Sequence, residues 1–316
     1  MIGFDIGGTK CAVSIGIEKN GCLEIKDKRI MPTDLSISPY EMLDRMCTAA
    51  EELESAENFD VIGISCGGPL DSRRGIILSP PNLPGWDEIR VVEYLEKRFG
   101  CRAYLQNDAN ACAVAEWKYG AGKGLNNIVF LTFGTGLGAG LILDGKLYSG
   151  ATDTAGEVGH IRLGEYGPVG FGKSGSFEGF CSGGGIANLG RIYAQEAFQS
   201  GKCVSYCKNA EYMPKINAKE IAELAQVGDA DAKRVFDECG KKLGMGLSII
   251  IDILNPDAII LGSIYLRCEN LLKDAALSVI EREALLQPRT ACKIVSAGLG
   301  EKLGDYAALS IAAMNL

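Results

Sequence analysis

Short apolar runs separated by glycine-threonine turns recur along the chain. Ile2 to Ile6 and Cys11 to Ile17, rich in Ile and Val, are joined by Gly7-Gly8-Thr9-Lys10, the pattern of a glycine-turned hairpin. Residues 128–143 repeat it: Ile128 to Thr132 leads into Phe133-Gly134-Thr135-Gly136-Leu137-Gly138 and out through Ala139 to Leu143. Between these units, Met42 to Leu53 has helical apolar spacing, Val61 to Ser65 is a buried-strand candidate, and Ile89 to Phe99 is amphipathic. Strands alternate with helices, which places the chain in the α/β class. Ser79 to Trp86 carries Pro80, Pro81 and Pro84, which remove backbone donors and restrict the residues before them, so an ordered loop is expected there. Beyond residue 150 a glycine-rich stretch runs to Gly185, a length of loop that is usually functional. Helical patterns follow from Ile186 to Ile253, then Ala258 to Leu261 as the expected last strand and Lys302 to Met314 as a closing helix.

Composition narrows the function classes. At 316 residues the chain is longer than one hydrophobic core usually serves, so two lobes are expected. A formal net charge of -8 disfavours nucleic acid as a partner, because that needs a basic face to neutralise phosphates. The twelve cysteines are scattered through apolar segments with no CxxC pair, and the N-terminal residues lack a secretory pattern, so reduced thiols and a cytoplasmic location are expected. The longest apolar stretch, Met245 to Gly262, is interrupted by Asp252, by Asn255-Pro256 and by Asp257, and no membrane span is expected.

The glycine turns suggest a ligand. Main-chain N–H groups in such a turn converge on an anion, and glycine leaves no Cβ in the way of phosphate oxygens. A strand, not a helix, follows the first turn, which excludes both the Walker loop and the dinucleotide fingerprint. Either turn alone reads equally as a structural hairpin, whereas two of them, with Asp5 ending the first strand, suit a Mg²⁺-bridged polyphosphate gripped from both sides. Lys10 reads either as a phosphate contact or as a solvated lysine. Gly262-Ser263, after Ala258 to Leu261, reads either as a turn against adenosine or as an ordinary strand-to-helix turn. Ser182-Gly183-Gly184-Gly185 reads either as helix N-terminal amides for an anion or as a flexible lead-in. Asn107-Asp108, between the strand Ala103-Tyr104-Leu105 and a helix beginning at Ala109, reads on its own as a helix cap made by the aspartate.

Six ordered motifs carry a more specific signal. Asp5-Ile6-Gly7-Gly8-Thr9-Lys10, Cys66-Gly67-Gly68-Pro69-Leu70-Asp71, Pro80 to Trp86, Leu105 to Asn110, Gly134-Thr135-Gly136 and Gly156-Glu157-Val158-Gly159-His160 together resemble the ROK family of sugar kinases and related repressors, from residue 2 to about 313. The resemblance implies an actin-like ATPase (ribonuclease H-like) fold of two similar lobes with an interlobe cleft. The expected division is residues 1–118, completed by about 300–316, and residues 119–299. It implies ATP-dependent phosphorylation of a hexose or hexose derivative, commonly at O6, with Asp108 as general base and a homodimer as the assembly. Sugar contacts carried over are Gly68, Asn82, Asn107, Asp108, Glu157, His160 and Glu178. ATP contacts are Asp5, Gly7, Gly8, Thr9, Lys10, Thr132, Gly134, Thr135, Gly136 and Gly262.

One segment departs from the family pattern. There the histidine matching His160 ligates a structural zinc with three cysteines, and those cysteine positions hold Val169, Phe171 and Ser176 here. No zinc is therefore expected, and apolar packing by Tyr166, Pro168, Val169 and Phe171 is expected to order the loop instead. Glucose, N-acetylmannosamine, N-acetylglucosamine, fructose, allose and β-glucosides are all acceptors within the family, and the motifs do not separate them. Two other classes stand beside the kinase: a sugar-responsive repressor, disfavoured by the short segment before Asp5 and the acidic balance, and a non-catalytic sugar-binding protein, disfavoured by Asp108 and the two turns.

Overall fold

The computed structural model describes residues 1–53 and 59–316 of the protein. The chain opens with β1 (Ile2–Ile6), β2 (Lys10–Lys19) and β3 (Cys22–Pro32), followed by α1 (Pro39–Glu51) and β4 (Val61–Cys66). Two short strands, β5 (Leu70–Asp71) and β6 (Ile76–Ile77), precede α2 (Val91–Phe99), β7 (Arg102–Asn107) and α3 (Asp108–Tyr119). Next come β8 (Ile128–Phe133), β9 (Leu137–Leu143), β10 (Lys146–Leu147), β11 (Val169–Gly170) and β12 (Lys173–Ser174). The helical half holds α4 (Phe177–Phe180), α5 (Gly183–Gln199), α6 (Ala218–Gln226) and α7 (Ala230–Leu254). It closes with β13 (Ala258–Leu261), α8 (Ile264–Glu283), α9 (Leu286–Ala291), β14 (Lys293–Ser296) and α10 (Leu303–Met314).

Two five-stranded sheets share one topology. The first runs β3-β2-β1-β4-β7 and the second β10-β9-β8-β13-β14, so in each the strands, counted in chain order, lie third, second, first, fourth, fifth. β1 pairs antiparallel with β2 and parallel with β4, and β4 pairs parallel with β7. The central strands are covered on both faces, which is why β4 reads Val-Ile-Gly-Ile-Ser-Cys without polar alternation and is buried throughout. The expected last strand, Ala258 to Leu261, is not the last: β14 pairs with it in parallel at the sheet edge. Lys293 is exposed and the other three residues are only partly buried, and four residues are too short a run for a period-2 signal.

The chain divides into two compact units. Unit 1 comprises residues 1–130, 140–155 and 297–316; unit 2 comprises residues 131–139 and 156–296. One face of the first sheet, with Ile2, Phe4, Ile6, Ile62 and Ile64, packs with Met42, Leu43 and Met46 of α1 and Leu95 of α2 into a continuous core. Its other face receives α10, which contacts β1 and β4. In unit 2, α7 packs along α8 and α6. No helix among the described residues is long and apolar enough to cross a membrane.

Candidate active site

In unit 1 the end of β1 delivers Asp5 to the first glycine turn. The turn is fastened from behind: the Thr33 hydroxyl donates to Gly7 O at 2.5 Å and Thr33 N to Thr9 O at 3.1 Å. Its outer side lies against the proline-rich loop so closely that a Cβ on Gly8 would strike the Asn82 carbonyl, which makes glycine obligatory there. That loop is ordered as expected, by Leu83 N to Pro80 O at 2.9 Å and Ser79 N to Trp86 O at 2.9 Å, with Leu83 and Trp86 buried beneath it. A cavity of about 290 Å³ opens between these parts. Asp5, the Gly7 to Lys10 turn, Gly68, Asn82 and Asp108 all line it, with Gly67 and Leu83.

Asp108 enters this cavity from the start of α3. The cap of α3 is Asn107, not Asp108: Asn107 Oδ1 accepts from Ala109 N at 2.9 Å, and the helix begins one residue earlier than the sequence pattern suggests. Asp108 Oδ1 also receives Ala109 N, at 2.8 Å. Behind the junction, Gln106 Oε1 accepts from Asn107 N at 2.9 Å and from the buried Asn110 Nδ2 at 3.0 Å, which fixes where strand becomes helix. Burial pushes the Asp108 carboxyl above the ordinary aspartate range, against the opposing main-chain hydrogen bonds at the helix start. Asp5 is raised to about 6, first by desolvation and then by the nearby Asp108 charge, with a hydrogen bond from Ser65 opposing. Ser65 is a residue the motifs did not single out. Its signal is positional, since it pairs with Asp5 across β1 and β4.

Unit 2 holds the remaining candidates. The second turn closes on itself through Gly134 N to Gly136 O at 3.0 Å, and Gly134 O accepts Gly183 N at 2.8 Å. Thr132 is tied to the far side of the turn, its Oγ1 accepting Gly138 N at 3.0 Å. Gly262 N donates to Leu131 O at 3.0 Å, so that amide is spent within the sheet. The glycines from Gly183 form the first turn of α5, capped by Ser182 Oγ accepting Gly185 N at 2.9 Å, rather than a loose lead-in. Glu178, on the single turn of α4, sets one carboxylate oxygen on Leu137 N at 3.0 Å. Glu157 starts a short 3-10 turn that ends in His160, which is exposed.

The expectation of apolar ordering for the 164–178 segment is overturned. Tyr166, Val169 and Phe171 are 81%, 53% and 77% exposed, and only Pro168 of the four is buried. Main-chain and hydroxyl hydrogen bonds order the loop instead: Gly175 N to Pro168 O at 3.0 Å, Ser174 Oγ to Gly167 O at 3.0 Å, and Leu163 N to Gly175 O at 2.8 Å. Ser176, at a position where the family carries a cysteine, caps α4 by accepting Gly179 N at 3.1 Å. Among the described residues no group of three or more His, Cys, Asp or Glu side chains is placed to hold a metal ion.

Residues 1–314 match the model of the ROK family. The chain is 30% identical over 263 residues to a glucokinase of Thermotoga maritima, covering 83% of this chain and 81% of that one. Its fold is similar to the crystal structure of a ROK hexokinase from Thermus thermophilus, with a TM-score of 0.81, 28% identity, and 100% of this chain and 98% of the other covered. It is also similar to a ROK family glucokinase from Streptomyces griseus in complex with glucose and AMPPNP, with a TM-score of 0.78, 28% identity and 99% of both chains covered.

Proposed function

The chain belongs to the ROK family and is a sugar kinase of the actin-like ATPase fold, and from that premise we propose that it transfers the γ-phosphoryl group of ATP to the primary hydroxyl, O6, of a hexose, with Asp108 as general base. The observation that carries the reading is the unit 1 cavity, which gathers the first glycine turn, Asp5 and Asp108 around one space. Phosphate oxygens would be received by the main-chain amides of Gly7, Gly8 and Thr9, and in unit 2 by the turn from Gly134 to Gly136. Gly68, Asn82, Asn107, Glu157, His160 and Glu178 are read as holding the sugar.

The step balances simply. O6 attacks the γ-phosphorus, the bond to the ADP oxygen breaks, and the O6 proton passes to the Asp108 carboxylate. A carboxyl raised by burial is a stronger proton acceptor than a solvated one, which favours Asp108 for that role over the exposed acids of the chain. The donors also fit magnesium: two carboxylates share the cavity, and with no third acidic, cysteine or histidine ligand grouped beside them among the described residues, a cation would draw its other ligands from phosphate and water. Asp5 would hold it, and it would supply charge neutralisation for the polyphosphate.

Asp108→Asn tests the assignment. The variant should lose at least about a thousandfold in kcat in a coupled ADP assay, the scale expected when a general base and its charge are removed, while binding sugar with nearly unchanged affinity. Turnover within a few-fold of wild type would refute the base assignment. A panel of free and substituted hexoses in the same assay identifies the acceptor.

A further inference from the structure

Phe171 occupies a position that nothing in the fold requires it to hold. It and Gly172 form the two-residue loop between β11 and β12, where Val169 pairs with Ser174 and Gly170 with Lys173. Both loop residues have positive φ, +43° and +73°, as in a type I′ hairpin. That loop strongly favours Asn-Gly, and a bulky residue in its first position is strained. The aromatic ring gains no burial in return, since Phe171 is 77% exposed. Among the described residues its ring neighbour is His160, edge-on at 6.4 Å between centroids and 75° between planes. The hairpin is not a loose tip. Lys173 Nζ donates to His160 O at 2.6 Å, Arg162 Nη1 to Ser174 O at 2.7 Å, and the next capped turn carries Glu178.

A strained, exposed aromatic held rigidly beside His160 points to retention for binding rather than for stability. We infer that Phe171, with the His160 ring, forms an apolar platform for a substituent on the sugar, so that the acceptor is a hexose derivative carrying an apolar group, N-acyl or O-linked, in preference to the free hexose. The inference rests on the reading of Glu157, His160 and Glu178 as sugar contacts. The phenyl ring offers no hydrogen bond, so a sugar hydroxyl pressed against it would be desolvated without a partner. A methyl, alkyl or aryl group would instead gain by covering it. Covering most of a phenylalanine side chain is worth roughly a factor of ten to a hundred in affinity.

The test compares wild type with Phe171→Asn on glucose, N-acetylglucosamine, N-acetylmannosamine and phenyl β-glucoside, with steady-state kinetics for each and calorimetric sugar binding alongside. Wild type should favour at least one substituted sugar over glucose by tenfold or more in kcat/KM. In the variant that preference should shrink about tenfold, mainly through KM, and the arm that shrinks tells an N-acyl group from an O-linked one. Because Asn suits the turn, the variant's Tm should rise by about 2 °C. Equal losses on all sugars, no change on any, or a Tm lowered by several degrees would overturn the inference. So would a change in oligomeric state with unchanged sugar preference, which would make Phe171 an interface residue. Turnover absent but discrimination retained in calorimetry would overturn the kinase reading and leave the platform standing; absence of both would remove both.

Discussion

Asp5 carries the most definite consequence at the scale of single residues. Its folded carboxyl titrates near 6 against an ordinary 3.8, because burial and the Asp108 charge both penalise ionisation. The folded chain therefore holds a proton that the unfolded chain releases between those values. The stabilisation linked to that proton is fully present below about 4 and is lost as pH rises through about 6. Above pH 7 the ionised, desolvated carboxylate costs the free protein about 3 kcal/mol. Asp5→Asn should remove this cost, so its Tm should exceed that of wild type at pH 7.5 by several degrees, with the gap closing by pH 4.5. A gap independent of pH would mean that Asp5 is not the group responsible. Ligand binding runs in the opposite sense. A cation held by Asp5 needs the carboxylate, so Mg²⁺-nucleotide should bind wild type about fourfold more weakly at pH 5.5 than at pH 7.5, measured by calorimetry. If Asp108 is the base proposed above, catalysis follows the same direction, and turnover should fall as pH drops through its raised pKa.

At the scale of elements, the segment from residue 164 to 178 shows what local sequence could and could not convey. The glycine turns, β1, β2, β4, α2 and the closing helix were legible because their apolar periods and turn residues agree with their burial. The first glycine turn, Asp5 and Asp108 line one cavity, as the motifs together suggest, although each taken alone reads equally as a hairpin turn or a helix cap. The loop was not legible. Tyr166, Pro168, Val169 and Phe171 suggest a small apolar cluster, but the pairing of β11 with β12 places Val169 on the strand and Phe171 in its loop, both exposed, and pairing is not encoded in side-chain polarity. β3 is not legible for a related reason: as an edge strand it keeps the apolar alternation only at Leu23 and Ile25 before charged residues 26–29 interrupt it, a run that reads as solvated surface. Ser176 is the sharper lesson, since a residue noted only as a missing ligand caps the turn that bears Glu178. Ser176→Ala should cost about 1 kcal/mol, seen as a Tm lowered by 2–4 °C. It should also raise the sugar KM severalfold with little change in the KM for ATP. A lowered Tm with an unmoved sugar KM would remove Glu178 from the acceptor site.

At the scale of the whole molecule, unit 1 cannot be completed until the end of the chain is present. Its first sheet is laid down by β1 to β7, yet the face opposite α1 and α2 is closed by α10, from the last residues. The approach is close enough that a Cβ on Gly63 of β4 would meet the Ala308 carbonyl, and one on Gly3 of β1 would lie 3.0 Å from Leu309 N. Glu116 of α3, fully buried, fastens the segment leading into α10 by accepting Gly298 N at 3.0 Å and Leu299 N at 2.9 Å, as well as Ala121 N at 2.8 Å. Such a carboxylate is satisfied by three main-chain donors, and its removal would leave them buried and unpaired. Two attachments of different kind thus hold one helix on one sheet, and they make a joint prediction. Gly63→Ala forces strand and helix apart, an overpacking against backbone that cannot move aside, and should reduce amide-exchange protection by about a hundredfold or more. Because α10 supplies one wall of the core, the loss should appear together in β1, β4 and α10. Loss confined to α10 would mean instead that the helix frays alone and that the sheet stands without it. Glu116→Gln keeps the shape but leaves one acceptor oxygen where there were two, so its NH₂ faces a main-chain N–H that one carboxylate oxygen received, and the bonds that remain become neutral. It should reproduce the same pattern of exposed amides at a smaller amplitude, which separates the attachment of α10 from the packing of Gly63 as the common cause.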